Sequence, residues 1–318
     1  MELSIIIVNW NTREMLRNCL SSLKDHTGRH KVKVFVVDNA SKDGSVEMVH
    51  NQFPWVYLIN SGGNIGFGKA NNLAKPYSYT PYILFLNPDT IILNDAITEM
   101  LDYMETNQDV GALGCKMKYP DGVVQPLGLQ WFPTPFTELI SMLIISQRTQ
   151  KRLKSYLPYV DPNKNSVVSK LYGGCLMVRK SVLDQVGWFD ERFFMYGEDV
   201  DLCKRITEAG WKLYYLSDTQ IIHLCGGASG EAPSNFSVLM KCESISKLMR
   251  KYYGNTGALL YKLVILSGSS FRLFVLAVLK IASSLLKKGN NSEYKNTHLK
   301  YVAMIKWCLN FQKPEIKS

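Results

Sequence analysis

Residues 3–41 read LSIIIVNWNTREMLRNCLSSLKDHTGRHKVKVFVVDNAS, and this stretch decides the fold. Its two apolar ends, Leu3 to Val8 and Val32 to Val37, are continuous and rich in β-branched side chains, as in strands buried on both faces of a parallel sheet. Between them Met15, Leu16, Cys19, Leu20 and Leu23 keep helical spacing, and Asn11 with Glu14 is expected to cap that helix. Strand, helix and strand in this order make a βαβ unit.

Working outward, VYLIN (56–60) and YILFL (82–86) read as two more buried strands. LYGGCLMV (171–178) and KLYYL with QIIHL (212–224) extend the set. Residues 199–209 put Val200, Cys203, Ile206 and Ala209 on one helical face before Gly210 ends the helix. The α/β pattern therefore fills residues 1–235. Within it, Pro126, Pro133, Pro135, Pro158 and Pro162 surround an apolar helical patch from Phe136 to Ile145, so 126–165 reads as an insertion.

The chain of 318 residues is 46% hydrophobic and 20% charged, enough to bury a core and unlike a disordered segment. Its net charge of +10 is unevenly placed: 14 of the 37 Lys and Arg but only 3 of the 27 Asp and Glu fall in 241–318. A near-neutral body with a basic tail predicts an anionic partner for the tail, either phospholipid or nucleic acid. Residues 258–286 are strongly apolar but interrupted by Lys262, Arg272 and Lys280 and closed by Lys287 and Lys288. A segment so broken fits lying in or re-entering a membrane interface better than crossing it. A helical hairpin packed on the body is the alternative. Because Leu, Val and Ile rather than stacking aromatics lie between the charges, lipid is preferred over nucleic acid. The expected organisation is thus an α/β domain over 1–235 and a basic, apolar helical region over 236–318.

The 7 cysteines form no C-x-x-C pair and no zinc spacing, and read as reduced core residues. The opening apolar run has no basic flank or small-residue cleavage site, so it does not read as a signal peptide, and the cytoplasm is the expected compartment.

Four stretches carry candidate chemistry. Asp38 ends the second strand, where open sheets bind ligands, although an Asx turn explains an Asp there equally well. The first strand runs into VNWNTRE rather than G-x-G-x-x-G, which disfavours a dinucleotide. Residues 61–72, SGGNIGFGKANN, form a glycine-rich turn opening a helix, suited to phosphate but lacking the G-K-[ST] of a Walker loop. Asn87-Pro88-Asp89-Thr90 follows a buried strand, placing a carboxylate where it can reach a cation bridging two phosphates. The densest patch runs from Gly187 to Leu202, in which the aromatics suggest a lined pocket and Asp190, Glu198, Asp199 and Asp201 offer a general base. His223 closes the strand QIIHL, where a lone His is ordinarily structural.

Taken in order, SIIIVNWN, VVDNAS, GGNIGFGKANN, LFLNPDT, GGCLMVRK, GWFDERFFMYGEDVDLCKR and IIHL resemble the family 2 glycosyltransferases of GT-A fold, specifically their rhamnosyltransferase-like branch, over about residues 1–235. The resemblance implies a Rossmann-like, mixed and mainly parallel sheet flanked by helices. It implies transfer of a sugar, with inversion, from a nucleoside-diphosphate donor such as a dTDP- or UDP-sugar to a hydroxyl of a saccharide or polyprenyl-diphosphate-linked acceptor at the cytoplasmic membrane face, in surface polysaccharide synthesis. By motif, Asp38 would meet the nucleotide base, with Val8, Asn9, Asn64, Gly66, Asn71 and Asn87 also on the nucleotide sugar. Asp89 and His223 would hold Mg²⁺ or Mn²⁺. Asp199 would be the base, with Gly174, Trp188, Asp190 and Glu198 toward the acceptor and Asp190 and Asp201 as rival bases. The family's usual Asp-x-Asp has Asn87 at its first position here, one negative charge fewer. A nucleotidyltransferase, a nucleotide-sugar hydrolase and a non-catalytic binding protein are the competing readings.

Overall fold

The structure is a computed structural model that describes residues 2–26, 30–143, 157–224, 235–285 and 291–316. In chain order the elements are β1 (Glu2–Asn9), α1 (Arg13–His26), β2 (Lys31–Asp38), α2 (Ser45–Gln52), β3 (Tyr57–Asn60), α3 (Phe67–Leu73), β4 (Tyr82–Leu86), β5 (Thr90–Ile92), α4 (Ala96–Thr106), β6 (Val110–Lys118) and α5 (Pro135–Leu143). They continue with β7 (Ser166–Val168), β8 (Cys175–Arg179), α6 (Lys180–Val186), α7 (Glu198–Glu208), β9 (Lys212–His223), α8 (Asn235–Leu285) and α9 (Asn291–Cys308).

One mixed sheet runs β3-β2-β1-β4-β8-β6-β9-β5, with β7 added on β9. Pairing is parallel across β3-β2-β1-β4 and between β6 and β9, and antiparallel where β8, β5 and β7 join. The continuous apolar runs are explained by cover on both faces. Leu3, Ile5 and Ile7 pack with α1, α2 and α4, whereas Ile6 and Val8 point the other way, into the cluster that includes Ala70, Leu183 and Leu202.

Three local expectations change. Asn11 does not cap α1: its side-chain oxygen accepts from the Lys42 N–H at 2.7 Å, and the Arg13 N–H is met by Asp43 Oδ2 at 2.8 Å from the next βα turn. The strand expected from 171 begins only at Cys175, because Leu171 to Gly174 form a turn whose Gly174 carbonyl accepts from the Asn87 N–H at 2.9 Å. KLYYL and QIIHL are one strand, β9, with a register shift against β6 between Cys115 and Lys116. In α7, Cys203 and Ile206 are buried together with Leu202, while Val200 and Ala209 are half-buried.

The chain divides into two compact units. The sheet unit extends to Gln130 and resumes at Pro158, through β9. Residues 131–157 of the expected insertion fall instead in the second unit, with α8 and α9. Ile144 and Ile145 of the expected apolar patch lie outside the described residues, as do Cys225 with the CGGASG segment and the closing pair Lys287 and Lys288. Cys19, Cys115, Cys175, Cys203 and Cys242 are buried free thiols and Cys308 is half-buried.

In the second unit Tyr261, Ile265, Tyr301, Met304 and Trp307 form the core between α8 and α9, with Met142 of α5 against it. Gly254 breaks α8 with φ 66, so two helices follow end to end. Of the three charges that interrupt the apolar run in sequence, Lys262 and Arg272 turn inward, whereas Lys280 is exposed. Lys262 Nζ donates to Asn310 Oδ1 at 3.1 Å and lies over the Trp307 ring; Arg272 Nε donates to the Met142 carbonyl at 2.9 Å and lies over Tyr301. Up to Leu279 the outer face is thereby left apolar, and α8 is long and apolar enough, by length and composition alone, to cross a membrane.

Candidate active site

The parallel register sets Asn9, Asp38 and Asn60 side by side at the carboxyl ends of β1, β2 and β3. Asn9 Nδ2 donates to Asp38 Oδ1 at 3.0 Å and to Ser41 Oγ at 2.9 Å, while Asn9 Oδ1 accepts from Thr12 Oγ1 at 2.7 Å. Asp38 Oδ2 accepts from the Ser41 N–H at 2.9 Å, three residues on, so the carboxylate also holds the turn that leaves β2. Each Asp38 oxygen keeps lone-pair capacity for a further donor. Val8 buries its side chain in the core.

Behind Asp38, Asn39 fixes the glycine-rich turn. Its Nδ2 donates to Asn64 Oδ1 at 3.0 Å and its Oδ1 accepts from the Ile65 N–H at 3.0 Å. Gly66, at φ 87, then lets the chain pass against the opposite segment, where the Phe67 N–H donates to the Phe194 carbonyl at 2.7 Å. Asn71 is fully buried; its Nδ2 donates to the Phe67 carbonyl and its Oδ1 has no partner among the described residues. It braces α3 rather than facing open solvent.

The turn after β4 gathers the proposed metal residues. His223 Nε2 lies 3.3 Å from Asp89 Oδ1 and 3.3 Å from Asn87 Nδ2. The β5–β9 register explains this, because Thr90 pairs with His223 and the Leu224 N–H donates to the Asp89 carbonyl at 2.9 Å. Gln125 holds the ring from behind: its Oε1 is 2.9 Å from His223 Nδ1 and its Nε2 donates to the His223 carbonyl at 2.6 Å. An oxygen acceptor at Nδ1 selects the tautomer protonated there and leaves Nε2 as the ligating nitrogen.

Gly173 and Gly174 join this group to Asp199. A Cβ on Gly174 would lie 3.3 Å from Asn87 Nδ2 and 3.6 Å from His223 Nε2, and the Gly173 N–H donates to Asp199 Oδ2 at 3.1 Å. Asp199 Oδ1 accepts from the Val200 N–H at 2.8 Å. Asp199 is half-buried at the start of α7, and desolvation raises its pKa above the ordinary value against the lowering effects of the Gly173 and Val200 N–H groups and the Lys170 charge. Burial thus outweighs the favourable field at the start of α7.

Its neighbours are differently disposed. Glu198 is buried with Oε2 lacking any partner, and desolvation followed by the Asp199 charge pushes its pKa well above the usual range. Of the adjacent pair the proton belongs on Glu198 and the negative charge on Asp199, where N–H donors meet it. Asp201 is fully buried and accepts from Arg205 Nε at 2.8 Å, and Arg205 in turn binds the carbonyls of Val186, Gly187 and Trp188. Asp190 is bound by Arg192 through two nitrogens. Both rival bases are thus committed to arginines. The Trp188 indole is buried in the core, edge-on to Phe85. Ser41, Asn39, Gln125 and Gly173 bond to the candidate residues without having been expected, since single loop residues carry no sequence signal until partners 25 to 98 positions away are known.

Among the described residues no group of three or more His, Cys, Asp or Glu gathers to hold a metal. Asp89 Oδ1, His223 Nε2 and the Asn87 amide nevertheless supply an oxygen and nitrogen donor set suited to Mn²⁺ or Mg²⁺ when phosphate oxygens and water complete the shell.

The sheet, with Asp38 at the end of β2 and Asp199 across a glycine turn from Asn87 and His223, has counterparts in a known family. The glycosyl transferase family 2 model matches residues 4–187, and the chain is a member of that inverting family. A second family, described as the N-terminal domain of galactosyltransferase, matches residues 155–224. The N-acetylglucosaminyl-diphospho-decaprenol L-rhamnosyltransferase of Mycobacterium tuberculosis is 31% identical over 261 residues, covering 73% of this chain and 79% of its own. The rhamnosyltransferase WbbL of Escherichia coli is 30% identical over 227 residues, covering 69% of this chain and 82% of its own. In fold, the chain is similar to the mannosyltransferase of Pyrobaculum calidifontis in complex with GDP-Man and Mn²⁺, with TM-score 0.60 and 13% identity over 97% of this chain and 86% of that one. The protein is a rhamnosyltransferase-like glycosyltransferase, and the competing readings as a nucleotidyltransferase, a nucleotide-sugar hydrolase or a non-catalytic binding protein give way to this one.

Proposed function

We propose that the protein transfers a rhamnosyl or other hexosyl group from a dTDP- or UDP-sugar to a hydroxyl of a polyprenyl-diphosphate-linked saccharide at the cytoplasmic face of a membrane. The observation that carries the reading is the Gly173–Gly174 turn, whose two residues touch Asp199 on one side and Asn87 with His223 on the other. A leaving diphosphate bound near Asp89 and His223 and a base at Asp199 would then face the sugar from opposite sides, as inversion requires.

In this reading Asp38 accepts hydrogen bonds from the nucleotide base, and the turn from Asn64 to Gly66 presents backbone N–H groups to the diphosphate. A divalent cation, Mg²⁺ or Mn²⁺, held by Asp89 and His223 neutralises charge on the leaving diphosphate when bound. Asp199 takes the proton of the acceptor hydroxyl as that oxygen bonds the anomeric carbon and the bond to the diphosphate breaks. Its raised pKa makes it a stronger base than an exposed carboxylate, and the fixed Gly173 and Val200 N–H groups keep it oriented. Support for the lipid-linked acceptor comes from the mycobacterial relative, whose name specifies a decaprenol-diphosphate sugar, and from the apolar α8.

The test is a panel of nucleotide sugars with purified protein, Mg²⁺ or Mn²⁺ and a polyprenyl-diphosphate-linked saccharide, with product anomer read by NMR. One donor is expected to give an inverted glycoside, and Asp199→Asn to lose roughly 10²–10⁴ in kcat. Full transfer by Asp199→Asn, or a retained anomer, would overturn the assignment.

A further inference from the structure

We propose that the second unit carries a two-helix lipid-facing surface, made jointly by α5 and the C-terminal half of α8, that seats in the hydrocarbon of an anionic bilayer. The proposal rests on the reading that the enzyme works at a membrane and adds which side chains enter it. Between Leu259 and Leu279 every exposed position of α8 is Leu, Phe, Val, Ala or Ser. Leu260, Leu263, Phe271, Phe274, Val278 and Ile281 follow one another at three-, four- and eight-residue steps and so share one face. That face runs about 30 Å at 1.5 Å per residue, close to the thickness of a bilayer's hydrocarbon core. Only 17% of the apolar window is buried, whereas the core helix of a soluble protein would be mostly buried.

The exposed residues of α5 are likewise all apolar: Phe136, Leu139 and Leu143, at steps of three and four. Within the same unit α5 is held against α8 closely enough that a Cβ on Gly268 would lie 2.9 Å from Met142, and the Arg272 bond to the Met142 carbonyl pins the pair. Nothing in the order of the sequence links these helices, which are more than a hundred residues apart.

Charge decides the occupant. Residues 241–318 hold 14 Lys and Arg against 3 Asp and Glu, so two copies meeting here would repel, whereas an anionic headgroup layer attracts. Exposed Lys241 and Arg250 lie on the half of α8 before the Gly254 break, beside the apolar half, as expected where headgroup meets acyl chain.

The experiment uses the full chain with phosphatidylcholine vesicles, with and without phosphatidylglycerol. Phe274→Glu and Phe136→Glu are each expected to weaken vesicle binding roughly tenfold or more, while Tyr79→Glu, at an exposed apolar position of the sheet unit, leaves it unchanged. Transfer to a short water-soluble acceptor should stay at the wild-type level in all three, which separates lost docking from lost folding. Wild-type protein that binds no vesicle removes the membrane reading itself. Wild-type binding retained by both glutamate variants removes only the proposed face. A wild-type dimer dissociated by Phe274→Glu, with vesicle binding intact, assigns the face to self-association and overturns the proposal.

Discussion

Replacing Gly66 by Ala tests how the glycine-rich turn is joined to the segment that carries the base. The new Cβ would lie 2.4 Å from the Phe194 carbonyl oxygen and 2.9 Å from its Cα, so backbone rather than a flexible side-chain tip must move. Three costs combine. Forcing an L-residue to φ 87 costs about 1–2 kcal/mol, overpacking a fixed neighbour about 1–3, and loss of the Phe67 to Phe194 hydrogen bond about 1. The expected loss is about 3–6 kcal/mol, a large part of a domain's usual stability. Gly62→Ala is the control, because Gly62 also has positive φ, at 76, but nothing lies within 4 Å of its Cβ. It should cost only the backbone share, about 1–2 kcal/mol. Urea melts of both variants, with nucleoside-diphosphate titration at a temperature where each is folded, read the difference. Equal losses in the two variants would mean that no contact with Phe194 constrains the turn.

Asp201→Asn should destabilise by about 3–5 kcal/mol in thermal or urea melts, because it strips a buried pair and leaves Arg205 uncompensated among the carbonyls of Val186, Gly187 and Trp188. Glu198, with its folded pKa raised, contributes stability that is present below its unfolded value and lost as pH rises through the folded one. Glu198→Gln should therefore gain stability relative to wild type as pH rises above the ordinary carboxylate range, while the acidic limb of kcat, which belongs to Asp199, stays in place. Asp89→Ala should weaken Mn²⁺ binding, read by electron paramagnetic resonance of free Mn²⁺, by at least roughly tenfold, and Gln125→Ala should weaken it less, having lost only the support of the His223 ring.

The sheet was legible in the sequence where both faces are covered. Leu3 to Val8 and Tyr82 to Leu86 are apolar at every or nearly every position because both faces of the sheet are covered. Legibility failed where a contact made far away sets the local structure. Residues 171–178 have the composition of a strand, yet the first four are held as a turn by the Asn87 N–H. Nor does a linear count of charges record which side of a helix Lys262 and Arg272 occupy. The candidate carboxylates Asp38, Asp89 and Asp199 could be picked out because each stands next to a strand end or at a helix start. Their partners Ser41, Asn39 and Gln125 are ordinary loop residues until the fold supplies their acceptors.

The choice of Asp199 over its acidic neighbours follows from what each can give up. Asp201 cannot take a proton without losing its buried ion pair with Arg205, whose other nitrogens stay bound to three carbonyls, and Asp190 is engaged by the exposed Arg192 guanidinium. Glu198 has no N–H donor on its buried Oε2 to support a charge, so it holds its proton and has none to accept. Asp199 alone is supported as an anion by neutral, fixed N–H groups, Gly173 and Val200, that neither leave nor change charge when it is protonated. One of those donors belongs to the turn whose next residue abuts Asn87 and His223. Movement of this turn would therefore displace the base and the diphosphate end together, and a side chain added at Gly173, whose Cβ would lie 3.4 Å from that of Asp199, should impair transfer more than binding of the nucleotide alone.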